Sequence, residues 1–117
     1  MVKLESLKKS YQFKKTLKEK KVHSDFFSIF AAKNFYKPTY KSNLLISFVM
    51  KKKIGNAVKR NKIRRKLKAI VQKLLKKRGA ISKDYTYIVF GKSNAYTQKQ
   101  TVLMPLMEKS FNKIKDK

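Results

Sequence analysis

The sequence predicts an α+β fold. It is read as one domain over residues 1–117, in the order α-β-β-α-β-α, with helices packed on a small mixed sheet through a split βαβ arrangement. Three observations predict it. Ile63, Leu67, Ile70, Val71 and Leu74 repeat at the 3.6-residue period of a half-buried helix. Around that helix lie three short apolar runs, Asp25–Lys33, Leu44–Lys52 and Asp84–Lys92, of strand length and composition. The chain has 117 residues, 42% of them apolar, which suits one modest core.

The first helix is expected over Leu7–Lys18, with Ser6 as its N-cap and Phe13 and Leu17 on one face. In the first strand, Phe26, Ser28 and Phe30 alternate with Phe27, Ile29 and Ala31. Asn34–Asn43, with Pro38 and two tyrosines, reads as a connection. Leu44–Lys52 is almost continuously apolar, as in a central strand. Gly55-Asn56 breaks the chain, and Asn56 is placed to cap a helix from about Ala57 to Arg78 that Gly79 stops. Asn61, Arg65, Lys68 and Gln72 lie opposite its apolar stripe, with Arg60 and Arg64 on the flank. In the third strand Tyr85, Tyr87 and Val89 alternate with Thr86, Ile88 and Phe90. Ser93–Gln100 is polar and loop-like. The last helix begins near Thr101, with Pro105 in its first turn and Leu106, Ser110, Phe111 and Ile114 inward.

Composition narrows the function. Lys and Arg number 32 against 6 Asp and Glu, a net charge of +26. Such a surface repels itself unless a polyanion neutralises it, and nucleic acid is the default partner. The charge is concentrated: no acid occurs from Phe26 to Lys83, and 14 of the 28 residues from Lys51 to Arg78 are basic. Only four of the basic residues are arginine, and Arg60, Arg64 and Arg65 fall together, as planar bidentate recognition of phosphate or base edges would require.

Other classes drop out. The chain has no cysteine and a single histidine, His23, so neither a disulfide framework nor a thiolate or paired-histidine metal site can form. The longest apolar run, Leu44–Met50, is far short of a membrane span, and the first ten residues lack a signal-peptide core, so the chain reads as cytoplasmic with no membrane partner. Glu5, Glu19, Asp25, Asp84, Glu108 and Asp116 are scattered singly, and glycines 55, 79 and 91 make no phosphate loop. His23 reads as a surface residue. No catalytic constellation is visible, and no small-molecule substrate is indicated.

Two recognition surfaces follow. One runs from Lys51 through the Gly55-Asn56 turn into the basic helix, where backbone N–H groups and flanking cations favour phosphate. The other is a groove between the first helix and the sheet, where aromatics beside lysines suit single-stranded RNA. An ordinary core is an equally good reading of those aromatics.

The segment GNAVKRNKIRRKLK, Gly55–Lys68, preceded by KKI at 52–54, closely resembles the RNR signature of the bacterial ribonuclease P protein family. SLKKSYQFKKTL (Ser6–Leu17) looks like that family's first helix, and DYTYIVFGK like the strand after the signature helix. The resemblance implies a left-handed βαβ crossover. It also implies a ribonucleoprotein endoribonuclease in which the protein binds the catalytic RNA and the 5′ leader of precursor tRNA. The RNA, with Mg²⁺ bound mainly by itself, would cut the leader; no catalytic residue and no direct metal ligand are expected in the protein. By this matching Lys52, Lys53, Asn56, Arg60, Asn61, Lys62, Arg64, Arg65 and Lys68 would contact RNA, and Phe13, Leu17 and Phe30 would line the leader cleft. Leu17 stands where the family has a second aromatic, and Lys51 where serine is common. A ribosomal-type RNA-binding protein with no role in cleavage is the alternative that charge and a small fold would also satisfy.

Overall fold

The computed structural model describes residues 3–38, 43–77 and 79–115. The elements are β1 (Leu4–Glu5), α1 (Ser10–Thr16), β2 (Lys20–His23), β3 (Phe27–Lys33), β4 (Leu44–Val49), α2 (Ala57–Leu74), β5 (Tyr85–Gly91) and α3 (Gln100–Lys115). Short 3₁₀ turns at Lys52–Ile54 and Ser93–Tyr96 precede α2 and α3. The six expected elements are present in the expected order. Residues 39–42 of the expected connection and Arg78, the expected last residue of the long helix, lie outside the described residues.

The five strands form one mixed sheet ordered β1-β4-β5-β3-β2. β4 and β5 are adjacent and parallel, and α2 is the crossover between them. β3 runs antiparallel to β5, and β2 antiparallel to β3. β1 and β2 were not expected. β1 is only two residues long, and KKVH in β2 carries too little apolar alternation to stand out among lysines.

One sheet face makes the core. Phe27, Ile29 and Ala31 of β3, Leu44 and Ile46 of β4, and Tyr85, Tyr87 and Val89 of β5 pack on the stripe of α2 and on Leu103, Met107, Phe111 and Ile114 of α3. Burial of each large side chain contributes about 1.5–3 kcal/mol. All five stripe residues predicted for α2 are buried. Tyr87, edge-to-face with Phe111 at 5.1 Å, donates its hydroxyl to the Ser82 carbonyl at 2.7 Å. Burial first, then Tyr85 and Asp84, push that phenol well above the usual tyrosine range.

Several boundaries move for identifiable reasons. α1 starts at Ser10, with Lys9 rather than Ser6 at the cap. Gln12 sets that start, because its Oε1 accepts from the backbone N–H of both Lys8 and Lys9. α1 buries Gln12 and Thr16, while Phe13 is half-buried and Leu17 exposed, so its expected apolar face is not its most deeply buried one. β4 stops at Val49 and the KKI segment winds into the 3₁₀ turn. In α3 Leu103 and Met107 join the inner face, and Leu106 is only half-buried. Pro105 lies past the first turn of α3, against expectation. Its lost hydrogen bond falls on the carbonyl of Thr101, an exposed residue that water can serve.

Two glycines shape the junction of β4, α2 and β5. Gly55 has φ 152°, a region that L side chains rarely adopt, and lets the chain turn sharply into α2. Gly91 ends β5, where a Cβ would collide with Met50 Sδ and lie 2.9 Å from Ile63 Cγ2. Its missing side chain lets the strand end approach α2 closely.

Candidate nucleic-acid interface

The opposite sheet face is only partly covered. The strand registers align Val49, Phe90, Ser28 and His23 in one row, and Ser47, Ile88, Phe30 and Lys21 in the next. α1 crosses this face, anchored by the Leu7 N–H, which donates to Ser47 Oγ at 2.8 Å. Beyond the end of α1 the sheet stays open as a cleft of about 660 Å³.

The cleft floor is aromatic. Phe30 and Phe90 meet edge-to-face at 5.4 Å, and His23 meets Phe30 edge-on at 5.9 Å. His23 Nδ1 and Ser28 Oγ are 2.7 Å apart. Leu17 forms one wall, and Lys51, Lys53, Lys92 and Ser93 form the rim. Lys51 Nζ stands 5.6 Å from the centre of the Phe90 ring. An apolar aromatic floor with cations along its edge can stack bases and track a phosphate backbone at once.

Of the three expected cleft residues, Leu17 and Phe30 line this cleft and Phe13 does not. Phe13 opens onto a smaller recess of about 240 Å³ with Ser47, Phe48 and Val49, at the β4 edge left uncovered where β1 ends. Arg64 and Lys68 of α2 border the same recess. Phe13 therefore sits beside the basic helix, and the cleft lies one strand further on. Phe90, His23, Ser28, Lys92 and Ser93 were missed as cleft residues. The alternation in β5 already put Phe90 with Thr86 and Ile88, but only the register shows that Phe90 and Phe30 meet.

The basic segment is built from Asn56 onward. Asn56 Oδ1 accepts from the Lys59 N–H at 2.9 Å, so the asparagine holds the helix start as the sequence predicts. Lys52 and Lys53 ride the exposed 3₁₀ turn before it. Asn61, Arg65, Lys68 and Gln72 are exposed on the outer face, and Arg60 and Arg64 are half-buried on the flank. Asn61 Oδ1 accepts from Arg64 Nη1 at 2.9 Å and orients that guanidinium. Val58, Asn61, Arg64 and Arg65 surround a shallow concavity. Val58 there is 72% exposed, an apolar side chain left in water among cations. Arg60 Nε is enclosed with no hydrogen-bond partner among the described residues. Lys62 Nζ lies 4.9 Å from the centre of the Tyr96 ring. Lys66, within the same stretch, turns inward; burial first, then the Lys62 ammonium, lower its pKa from the usual lysine value.

A basic helix with its N-terminus at a lysine-rich turn, set beside an aromatic cleft on an α+β sheet, defines a small RNA-binding domain. The ribonuclease P family model matches residues 1–115, and the chain belongs to that family. It is 30% identical over 109 residues to the ribonuclease P protein component of Mycoplasma capricolum subsp. capricolum, covering 93% of this chain and 94% of that protein. Its fold matches the Staphylococcus aureus RNase P protein with a TM-score of 0.68 at 22% identity, over 94% of each chain. The Thermotoga maritima RNase P protein gives 0.69 at 21% identity, over 92% of this chain and 96% of that one. Among the described residues no helix is long and apolar enough to cross a membrane.

Proposed function

We propose that this chain is the protein component of a bacterial ribonuclease P, working in the cytoplasm on precursor tRNA. α2 and its preceding turn bind the catalytic RNA, and the cleft over β3 and β5 holds the 5′ leader. The single observation that carries the reading is the cleft itself, where Phe30 and Phe90 lie open beneath Lys51, Lys53 and Lys92. Charge alone would serve a ribosomal-type protein, but such a protein has no need of an open aromatic floor next to the signature helix.

The protein's part is binding and orientation. Phe30 and Phe90 offer ring faces and edges to unstacked bases, each stacked base contributing on the order of 1–3 kcal/mol. Lys51, Lys53 and Lys92 neutralise the backbone and set the leader's direction. Arg64 and Arg65 hold phosphates of the catalytic RNA, with Asn61 steering Arg64. Two RNA segments that would repel each other are thereby brought to one small body. In this reading Mg²⁺ and bond cleavage belong to the RNA. Among the described residues no three His, Cys, Asp or Glu side chains gather as a cation site, and a surplus of lysine disfavours divalent ions. The side chains do not fit the ion.

Photo-crosslinking tests the division of labour. A precursor tRNA with thiouridine in its leader should crosslink to peptides of β3 and β5, and thiouridine-bearing catalytic RNA to peptides of α2. Leader crosslinks confined to α2, or spread evenly over the lysines, would contradict it.

A further inference from the structure

Lys66 stands in the most basic stretch of the chain, yet its ammonium faces the protein. Nζ donates to three backbone carbonyls of one turn: Gln98 at 2.7 Å, Tyr96 at 2.9 Å and Ala95 at 3.0 Å. An ammonium has three N–H donors, so none is left for phosphate. The same turn is also held by two more lysines of α2. Lys59 Nζ donates to Ser93 Oγ at 2.9 Å, and the Tyr96 ring has Lys59 Nζ at 5.3 Å and Lys62 Nζ at 4.9 Å from its centre. Ala95, at the middle of the turn, is fully buried. Lys59, Lys62 and Lys66 are three, four and seven residues apart and share one helix flank.

This turn follows β5 directly, and its first residue, Ser93, together with Lys92, forms one side of the rim of the aromatic cleft. We propose that Lys66 is a positioning residue: its tripod of carbonyl bonds fixes the β5–α3 turn against α2 and so sets the far wall of the cleft relative to the RNA-binding helix. The clasp is made by the Lys66 ammonium of this chain. Arginine cannot replace it, because a planar fork does not converge on three carbonyls of a single turn. The proposal rests on the reading of the cleft as the leader site.

The test compares Lys66→Met and Lys66→Arg with Lys76→Met, which removes the same charge from an exposed position just past α2. Two readouts are taken on the full chain. Amide hydrogen exchange at Ala95 and Gln98, whose N–H groups bond within the turn, should quicken about tenfold in both Lys66 variants and stay unchanged in Lys76→Met. With the catalytic RNA bound, the preference for leader-bearing over mature tRNA should fall roughly three- to tenfold in both Lys66 variants, while affinity for the catalytic RNA follows the charge lost. Unchanged exchange at the two amides would overturn the proposal. So would a loosened turn with the leader preference intact, an equal fall of the leader preference in Lys66→Met and Lys76→Met, or wild-type behaviour of Lys66→Arg. If Lys66→Met does not fold, Lys66→Arg, which keeps charge and bulk, decides the matter alone. A wild-type chain with no leader preference would instead defeat the cleft reading, and the exchange comparison would still decide whether Lys66 holds the turn.

Discussion

Phe30 of β3 and Phe90 of β5 lie edge-to-face, 5.4 Å apart, on the sheet face that the core does not use. The register pairs Phe30 with Ile88 and Phe90 with Ser28, so the two rings are diagonal neighbours across one strand pair. Both are only half-buried, in contrast to Phe27 and Tyr87 on the opposite face, which are fully buried. Leaving two phenylalanines half-open in a chain with a modest core forgoes burial energy that a stacking ligand would restore.

Phe90→Ala is expected to weaken binding of leader-bearing precursor by roughly 5- to 100-fold, as loss of one stacking partner implies, and to leave mature tRNA nearly unaffected. Phe13→Ala, in its separate recess beside Arg64 and Lys68, should lower the leader preference less than Phe90→Ala does. Equilibrium binding with the catalytic RNA present, comparing the two tRNAs for each variant, checks both.

Arg60 carries an enclosed Nε with no partner among the described residues. An unmade hydrogen bond of that kind costs about 1–3 kcal/mol in the free protein. Arg60→Met keeps the aliphatic stem and removes the unsatisfied group. It should melt at or above the wild-type temperature while binding catalytic RNA about tenfold more weakly, as calorimetry and filter binding on the same preparations would show.

Arg65→Ala removes an exposed cation from the outer face of α2. Its effect should be electrostatic: the slope of log affinity against log salt for the catalytic RNA becomes shallower by about one unit, with the melting temperature unchanged. Titrations at several salt concentrations measure the slope.

Gly91→Ala forces a methyl group against Met50 and Ile63, at the seam of β5 and α2. Overpacking of this kind costs about 1–3 kcal/mol, or roughly 5–15 °C in melting temperature for a domain of this size. Thermal unfolding reads it directly.

Tyr36 gives a pH signature. Its hydroxyl is enclosed without a hydrogen-bond partner among the described residues, and burial first, then Glu5 and Tyr11, push its pKa to about 12. The unfolded phenol titrates near 10, so between about pH 10 and pH 12 the unfolded chain loses the proton first. The stability this contributes is fully present below pH 10 and is lost as pH rises through 12. Tyr36→Phe cannot titrate, so its melting temperature relative to wild type should climb across that window; a constant difference would contradict the assignment.

The long elements were legible because each obeys one rule over many residues. The α2 stripe and the exposed placement of Asn61, Arg65, Lys68 and Gln72 follow from a 3.6-residue period alone, and the Asn56 cap from a side chain able to accept from the first turn. The site was legible in its cations and less so in its aromatics. Phe13 and Leu17 share a helix face, yet they serve two different hollows, because β1 is too short to cover the whole β4 edge. Phe90 carries no cleft signal in the sequence because the partner of a strand residue is set by register, which a single sequence does not encode locally. Lys66 carries no signal of its own in the sequence; only the fold brings three carbonyls from more than 25 residues downstream to its ammonium.

The most direct test is reconstitution with a bacterial ribonuclease P RNA at a Mg²⁺ concentration too low for that RNA to act alone. With precursor tRNA as substrate, the wild-type chain should restore accurate 5′ processing, and Phe90→Ala should restore markedly less. Failure of the wild-type chain to restore any processing, or equal rescue by an unrelated protein of the same net charge, would contradict the account.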